Sequence, residues 1–71
     1  MYPRIRDLRV DKELSQKEFA QIIGMSQTGY SKYETGENDI PTHTLIAIAK
    51  FHHTSVDYLL GLTSNPLPYG E

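Results

Sequence analysis

Seventy-one residues suffice for one small core and not for two, and the absence of cysteine leaves neither a disulfide nor a thiolate metal site to staple it, so hydrophobic packing has to supply nearly all the stability. No stretch approaches the roughly 18 to 20 apolar residues that span a bilayer, and Met1-Tyr2-Pro3-Arg4 lacks the apolar run of a secretion signal; a cytoplasmic location away from membranes is the expectation. A formal net charge of −2 argues against a polyanionic partner until it is resolved along the chain: residues 1–36 hold six Lys and Arg against five Asp and Glu, and residues 37–71 hold one against four, a polarity compatible with one face toward nucleic acid.

Caps and apolar spacing predict five short helices and no alternating strand pattern, hence an all-α fold. The first runs from about Pro3 to Lys12, with proline in its first turn and Ile5 and Leu8 three apart on one face; Leu14 closes that end. Ser15-Gln16-Lys17-Glu18 is a capping box that opens the second helix, whose inward stripe is Phe19, Ala20 and Ile23. Gly24 ends it in a left-handed conformation and Ser26 caps the next, so the reversal is about three residues long and forces a steep crossing. The third helix, about Gln27 to Thr35, turns Tyr30 and Tyr33 inward with their hydroxyls at the rim, and stops at Gly36. After the polar loop Glu37-Asn38-Asp39-Ile40-Pro41, Thr42 caps a fourth helix that buries Leu45, Ile48 and Ala49. The last starts at Ser55, has Val56, Leu59 and Leu60 as its apolar positions, and stops at Gly61. Residues 1–62 then form the domain, and residues 63–71, with Pro66 and Pro68, an extended or mobile tail.

Chemistry that would make an enzyme is not visible. No nucleophile, base and orienting group recur together, no phosphate-binding loop occurs, and no cofactor is called for. His43, His52 and His53 are not expected to hold a metal, because adjacent side chains point different ways.

The informative stretch is Leu14-Ser15-Gln16-Lys17-Glu18-Phe19-Ala20, then Ile23-Gly24-Met25-Ser26-Gln27, then Tyr30-Ser31-Lys32-Tyr33-Glu34-Thr35-Gly36. Its order and spacing resemble the Cro/cI-type helix-turn-helix family of phage and bacterial repressors, and the likeness covers about residues 4 to 62, including Ser55-Val56-Asp57-Tyr58-Leu59-Leu60. It implies a compact five-helix, lambda-repressor-like domain with helices 2 and 3 as the helix-turn-helix, sequence-specific binding of double-stranded DNA, and repressor-like control of transcription. It also implies a homodimer on a pseudo-palindromic operator, its two recognition helices about 34 Å apart. Gln27, Thr28 and Lys32 are the expected base contacts, since glutamine can bond adenine, threonine can offer a methyl to thymine, and lysine can donate to guanine. Gln16, Lys17, Ser26 and Ser31 are the expected phosphate contacts. Arg9 and Glu34 match a structural ion pair between the first and third helices, and the dimer contacts fall around Tyr58, Leu60 and Leu62.

The chain departs from that pattern at Gly29, inside the recognition helix, where glycine costs about 1 kcal/mol relative to alanine; it either lets the backbone approach DNA closely or is a tolerated weak spot. His52 and His53 stand where an apolar residue and a glycine are usual, with Thr54 in place of valine, which predicts a looser corner. A competing use of the same fold is as a protein-interaction module, such as an antitoxin, for which Ile22, Ile46, Leu62, Leu67 and Tyr69 supply candidate apolar surface.

Overall fold

The computed structural model describes residues 2–68, so Tyr69 and the end of the expected tail lie outside the described residues. It contains α1 (Pro3–Asp11), α2 (Gln16–Ile22), α3 (Gln27–Thr35), α4 (Thr42–Phe51) and α5 (Val56–Leu60), with no strand among the described residues. Each helix gives one large side chain that is closed to solvent: Ile5, Phe19, Tyr30, Ile48 and Leu59. Helices of five to ten residues do not persist alone in water, so this shared centre is what holds each of them folded.

Local chemistry sets the boundaries. In the capping box the Glu18 N–H donates to Ser15 Oγ and the Ser15 N–H to Glu18 Oε1, both at 3.0 Å, and Glu18 is held below the ordinary carboxylate range by those bonds to Ser15. Gly24 takes φ +76°, a value that costs an L side chain strain, and the reversal into α3 closes when Met25 N–H reaches the Ala20 carbonyl at 2.9 Å. Ser26 and Ser55 cap α3 and α5 by accepting from the Gly29 and Tyr58 N–H groups.

α4 begins differently from expectation. Thr42 is its first helical residue and makes no cap; Pro41 precedes it with φ −59° and ψ 149°, and its carbonyl accepts from the Thr44 and Leu45 N–H groups at 3.0 Å. A proline already fixed near that φ delivers the first carbonyl without a side-chain cap.

Tyr30 is a second correction. Its hydroxyl does not reach the rim but is enclosed with the rest of the ring, whose edge packs against Phe19 with centroids 5.3 Å apart. Burial, and then the neighbouring Glu34 carboxylate, hold the phenol well above its ordinary range. Tyr33 is half-buried against the core.

The corner between α4 and α5 is packed and not loose. His52, Thr54 and Ser55 are buried, and His53 takes the left-handed φ of 53°. The His52 ring stacks on Phe19 at 5.3 Å and meets Phe51 edge-on at 5.0 Å. An imidazole fills the apolar slot because, neutral, it is a flat ring of suitable size. The cost is that neither ring nitrogen, nor Thr54 Oγ1, has a hydrogen-bond partner among the described residues.

The backbone beyond α5 is pinned to α1. Arg4 Nη1 donates to the carbonyls of Tyr58 at 2.8 Å and Thr63 at 2.5 Å, and the guanidinium lies 4.0 Å from the Tyr58 ring centroid. Among the described residues no helix is long and apolar enough to cross a membrane.

His52 gives the fold a pH dependence. Burial, reinforced by the Lys12 cation, lowers its pKa from 6.5 to about 4, so between those values the unfolded chain binds a proton that the folded chain refuses. Stability is therefore complete above pH 6.5 and falls toward pH 4, by at most about 1.4 kcal/mol per pH unit. Thermal unfolding at pH 7.5 and pH 5 should show a lower midpoint at pH 5, with most of that drop absent in His52→Leu. Coincident wild-type midpoints would contradict the confinement of the ring.

Candidate nucleic-acid interface

The candidate surface is built on α3, and α3 is held at both ends. At its start the three-residue reversal and the Ser26 cap fix it to the end of α2. Near its end Glu34, buried, joins three helices: Arg9 from α1 donates Nε to Oε2 at 2.7 Å and Nη2 to Oε1 at 3.1 Å, and Gln16 from α2 donates Nε2 to Oε1 at 3.1 Å. The remaining nitrogen of the Arg9 fork, Nη1, donates to the Leu14 carbonyl at 2.7 Å. Burial alone would raise the Glu34 carboxyl, but the bonds from Arg9, with Tyr30 and Gln16 beside it, outweigh that and hold it below the ordinary carboxylate range. The same carboxylate raises Arg9.

This anchoring places the start of α2 beside the last turn of α3, while Ser26, Gln27 and Thr28 lie at the opposite end. Nine helical residues rise about 13 Å, close to the width of a major groove. Gln27 and Thr28 are exposed in the first turn of α3, and Lys32, half-buried, follows one turn later. Lys17 is exposed in the first turn of α2. Ser26 accepts the Gly29 N–H and keeps its own proton available.

Two of the expected phosphate contacts are otherwise engaged. The Gln16 side chain is half-buried on Glu34, and Ser31 Oγ donates back to the Thr28 carbonyl at 3.1 Å, so each must break an internal bond to donate that proton elsewhere. The Gln16–Glu34 pairing, 18 residues apart, leaves no mark in local sequence. Gly29 has a third explanation besides the two expected ones: a Cβ there would lie 3.2 Å from Met25 Cε and 3.2 Å from Ser26 Oγ, so glycine leaves room for the cap and the methionine methyl.

Of the expected dimer residues, Tyr58 is half-buried under Arg4, Leu60 is half-buried on the core, and Leu62 is 73% exposed. Beside them an open groove of about 440 Å³ is lined by Tyr2, Pro3, Arg4, Asp7, Leu59, Leu60 and Gly61. The part played by Tyr2 and Arg4 was not legible in the sequence, since 54 residues separate Arg4 from Tyr58.

The helix-turn-helix family profile matches residues 5–59, spanning all five helices. The chain belongs to the Cro/cI-type helix-turn-helix family. This helix-turn-helix chain is 37% identical over 68 residues to the HTH-type transcriptional regulator YobD of Bacillus subtilis, a match covering 96% of the chain and 61% of YobD. It is 37% identical over 57 residues to the cryptic phage CTXphi transcriptional repressor RstR of Vibrio cholerae, covering 80% of the chain and 51% of RstR. The antitoxin PezA of Streptococcus pneumoniae is 39% identical over 54 residues, covering 75% of the chain and 34% of PezA. The chain thus corresponds to part of the length of each of these relatives.

The three-helix junction at Glu34 should be required for folding. Glu34→Ala strands a guanidinium largely withdrawn from water and is expected to cost about 3 kcal/mol. Removing Arg9 as well should cost less than the two single changes together, because no charge is then left alone. Urea titrations of the wild type, both single variants and Arg9→Ala/Glu34→Ala complete the cycle; additive losses would mean that the two side chains do not act as a pair.

Proposed function

We propose that this domain binds double-stranded DNA sequence-specifically, lays α3 in the major groove, and acts as a repressor-like regulator of transcription. The observation that carries the reading is the exposed polar turn Gln27-Thr28 at the start of a helix held there by the reversal from α2 and at its other end by Arg9, Glu34 and Gln16. Such a helix can enter a groove without reordering. Gln27 bonds an adenine edge, Thr28 meets a thymine methyl, and Lys32 donates to guanine. Lys17 and the Ser26 hydroxyl hold phosphates at the two ends of α3. Gln16 is assigned to positioning, through Glu34, and Ser31 reaches a phosphate only by turning its hydroxyl out of its own helix. The reading is of a binding domain and not an enzyme, and it calls for no cofactor.

One short helix reads only a few base pairs, so two copies act on a pseudo-palindromic site with recognition helices about 34 Å apart. The exposed Leu62 beside the groove lined by Tyr2 and Leu60 gives that face a projection and a recess together, the self-complementarity a two-fold contact needs. A second reading, a domain that holds another protein, is supported by the likeness to an antitoxin and by Ile22 and Ile46, which are 49% and 42% exposed.

Selection of bound duplexes from a random pool, followed by titration of the selected duplex, tests the primary reading. Gln27→Ala, Thr28→Ala and Lys32→Ala should each weaken binding by about 1 to 3 kcal/mol, or roughly 5- to 150-fold, with unchanged melting. Sedimentation of the complex should give two chains per duplex. Failure of every duplex to bind at low ionic strength, with a protein captured instead through Ile22 or Ile46, would replace the DNA reading by the second one.

A further inference from the structure

The DNA reading above leaves open how the domain avoids DNA in general, and the placement of its charges bears on that. Of the seven Lys and Arg residues, Arg4 is engaged by the Tyr58 and Thr63 carbonyls, Arg9 by Glu34 and Leu14, and Lys12 lies 5.7 Å from the Phe51 ring centroid. Arg6 and Lys50 sit on α1 and α4. The helix-turn-helix pair itself therefore carries two cations, Lys17 and Lys32.

The segment that follows α3 has the opposite sign. Glu37 and Asp39 are exposed, and neither has an ion-pair partner among the described residues. The loop is tied to the last turn of α3 by Asn38 N–H on the Lys32 carbonyl at 3.2 Å and by Glu37 N–H on Thr35 Oγ1 at 3.4 Å. The Gln16–Glu34 bond sets the start of α2, which carries Lys17, beside this end of α3, so in the DNA reading the loop faces the same phosphates as Lys17. Carboxylates there lie within the roughly 8 to 10 Å over which salt leaves charges unscreened.

Resting on the DNA reading, we infer that Glu37 and Asp39 form an electrostatic brake on sequence-independent binding, set against only two lysines on the helix-turn-helix, Lys17 and Lys32. Non-specific affinity comes essentially from cations on phosphate, so a surface with two lysines and two opposing carboxylates holds random duplex weakly. Base contacts at Gln27 and Thr28 then carry most of the attraction to a correct site.

The test titrates a random duplex and the selected duplex with wild type, Glu37→Gln/Asp39→Asn, and Asp11→Asn/Glu13→Gln, which makes the same change of net charge at the end of α1, outside the groove lined by Tyr2 and Leu60. Two lysines at the duplex per domain, Lys17 on phosphate and Lys32 in the groove, release at most two counterions, so the selected duplex should lose at most about 12-fold per half-site between 50 and 200 mM salt. The loop variant should bind random duplex about threefold or more tighter than wild type at 50 mM salt, and tighter than the α1 variant. A salt loss of a thousandfold per half-site, or a loop variant no tighter than the α1 variant, overturns the inference. Wild type that binds no duplex at all sinks the DNA reading itself, a separate outcome. Matched melting temperatures of the three chains exclude a folding artefact.

Discussion

The Glu34 carboxylate is the point on which the arrangement depends. It lies near the far end of α3, is closed to solvent, and receives donors from α1 and α2, so it fixes the position of one helix relative to two others with a single group. Removing a guanidinium and a carboxylate from water costs several kcal/mol, which is offset only when the geometry is good and the spare donors are used. Here both requirements are met: the pairing is bidentate, and the third nitrogen of the fork finds the Leu14 carbonyl. Such a junction adds less to net stability than to the definition of an angle. In the DNA reading that angle is the functional quantity, because base edges are recognised by side chains placed within a fraction of an ångström.

The rest of the core follows from the shortness of the helices. None of five elements of five to ten residues could persist alone, so capping and burial act together. Ser15, Ser26 and Ser55 each satisfy an orphan N–H, and Phe19 links Tyr30, Phe51 and His52 into one aromatic cluster across α2, α3 and the end of α4. Gly29 shows how tightly these demands compete. Alanine would favour the helix by about 1 kcal/mol, but its methyl would crowd the Ser26 hydroxyl that starts the same helix.

What could be read from the sequence divides along a physical line. The capping box at Ser15, the reversal at Gly24 and Ser26, the stops at Gly36 and Gly61 and the buried faces of α2 and α4 are local, set by residues within a turn of one another. Contacts between distant residues were not legible. Nothing near Gln16 announces that its amide serves Glu34, and nothing near Arg4 announces Tyr58 and Thr63. The depth of Tyr30 and the closure of the corner at His52 and Thr54 were also missed, because side-chain polarity suggested a surface where packing made a core. The Arg9–Glu34 pairing was accessible only through family resemblance. The assignment of base and phosphate contacts still rests on that resemblance together with exposure.

The same scarcity that shapes the core also shapes the surface. A chain this short buries too little apolar area to waste a polar staple, and arginine is the side chain best able to bridge several carbonyl or carboxylate oxygens at once. Two of the three arginines are used that way, one joining α1 to the end of α5 and one joining α1 to α3. Arginines engaged on the protein's own oxygens are not free to hold phosphates. In the DNA reading, a domain stabilised in this manner draws DNA with two lysines and otherwise with neutral donors and acceptors, whose strength falls off steeply with misalignment where that of a charge does not. Low surface charge and a rigid recognition helix are thus two sides of one constraint: the fewer cations α3 and its neighbours present, the more completely binding depends on the geometry that Glu34 maintains.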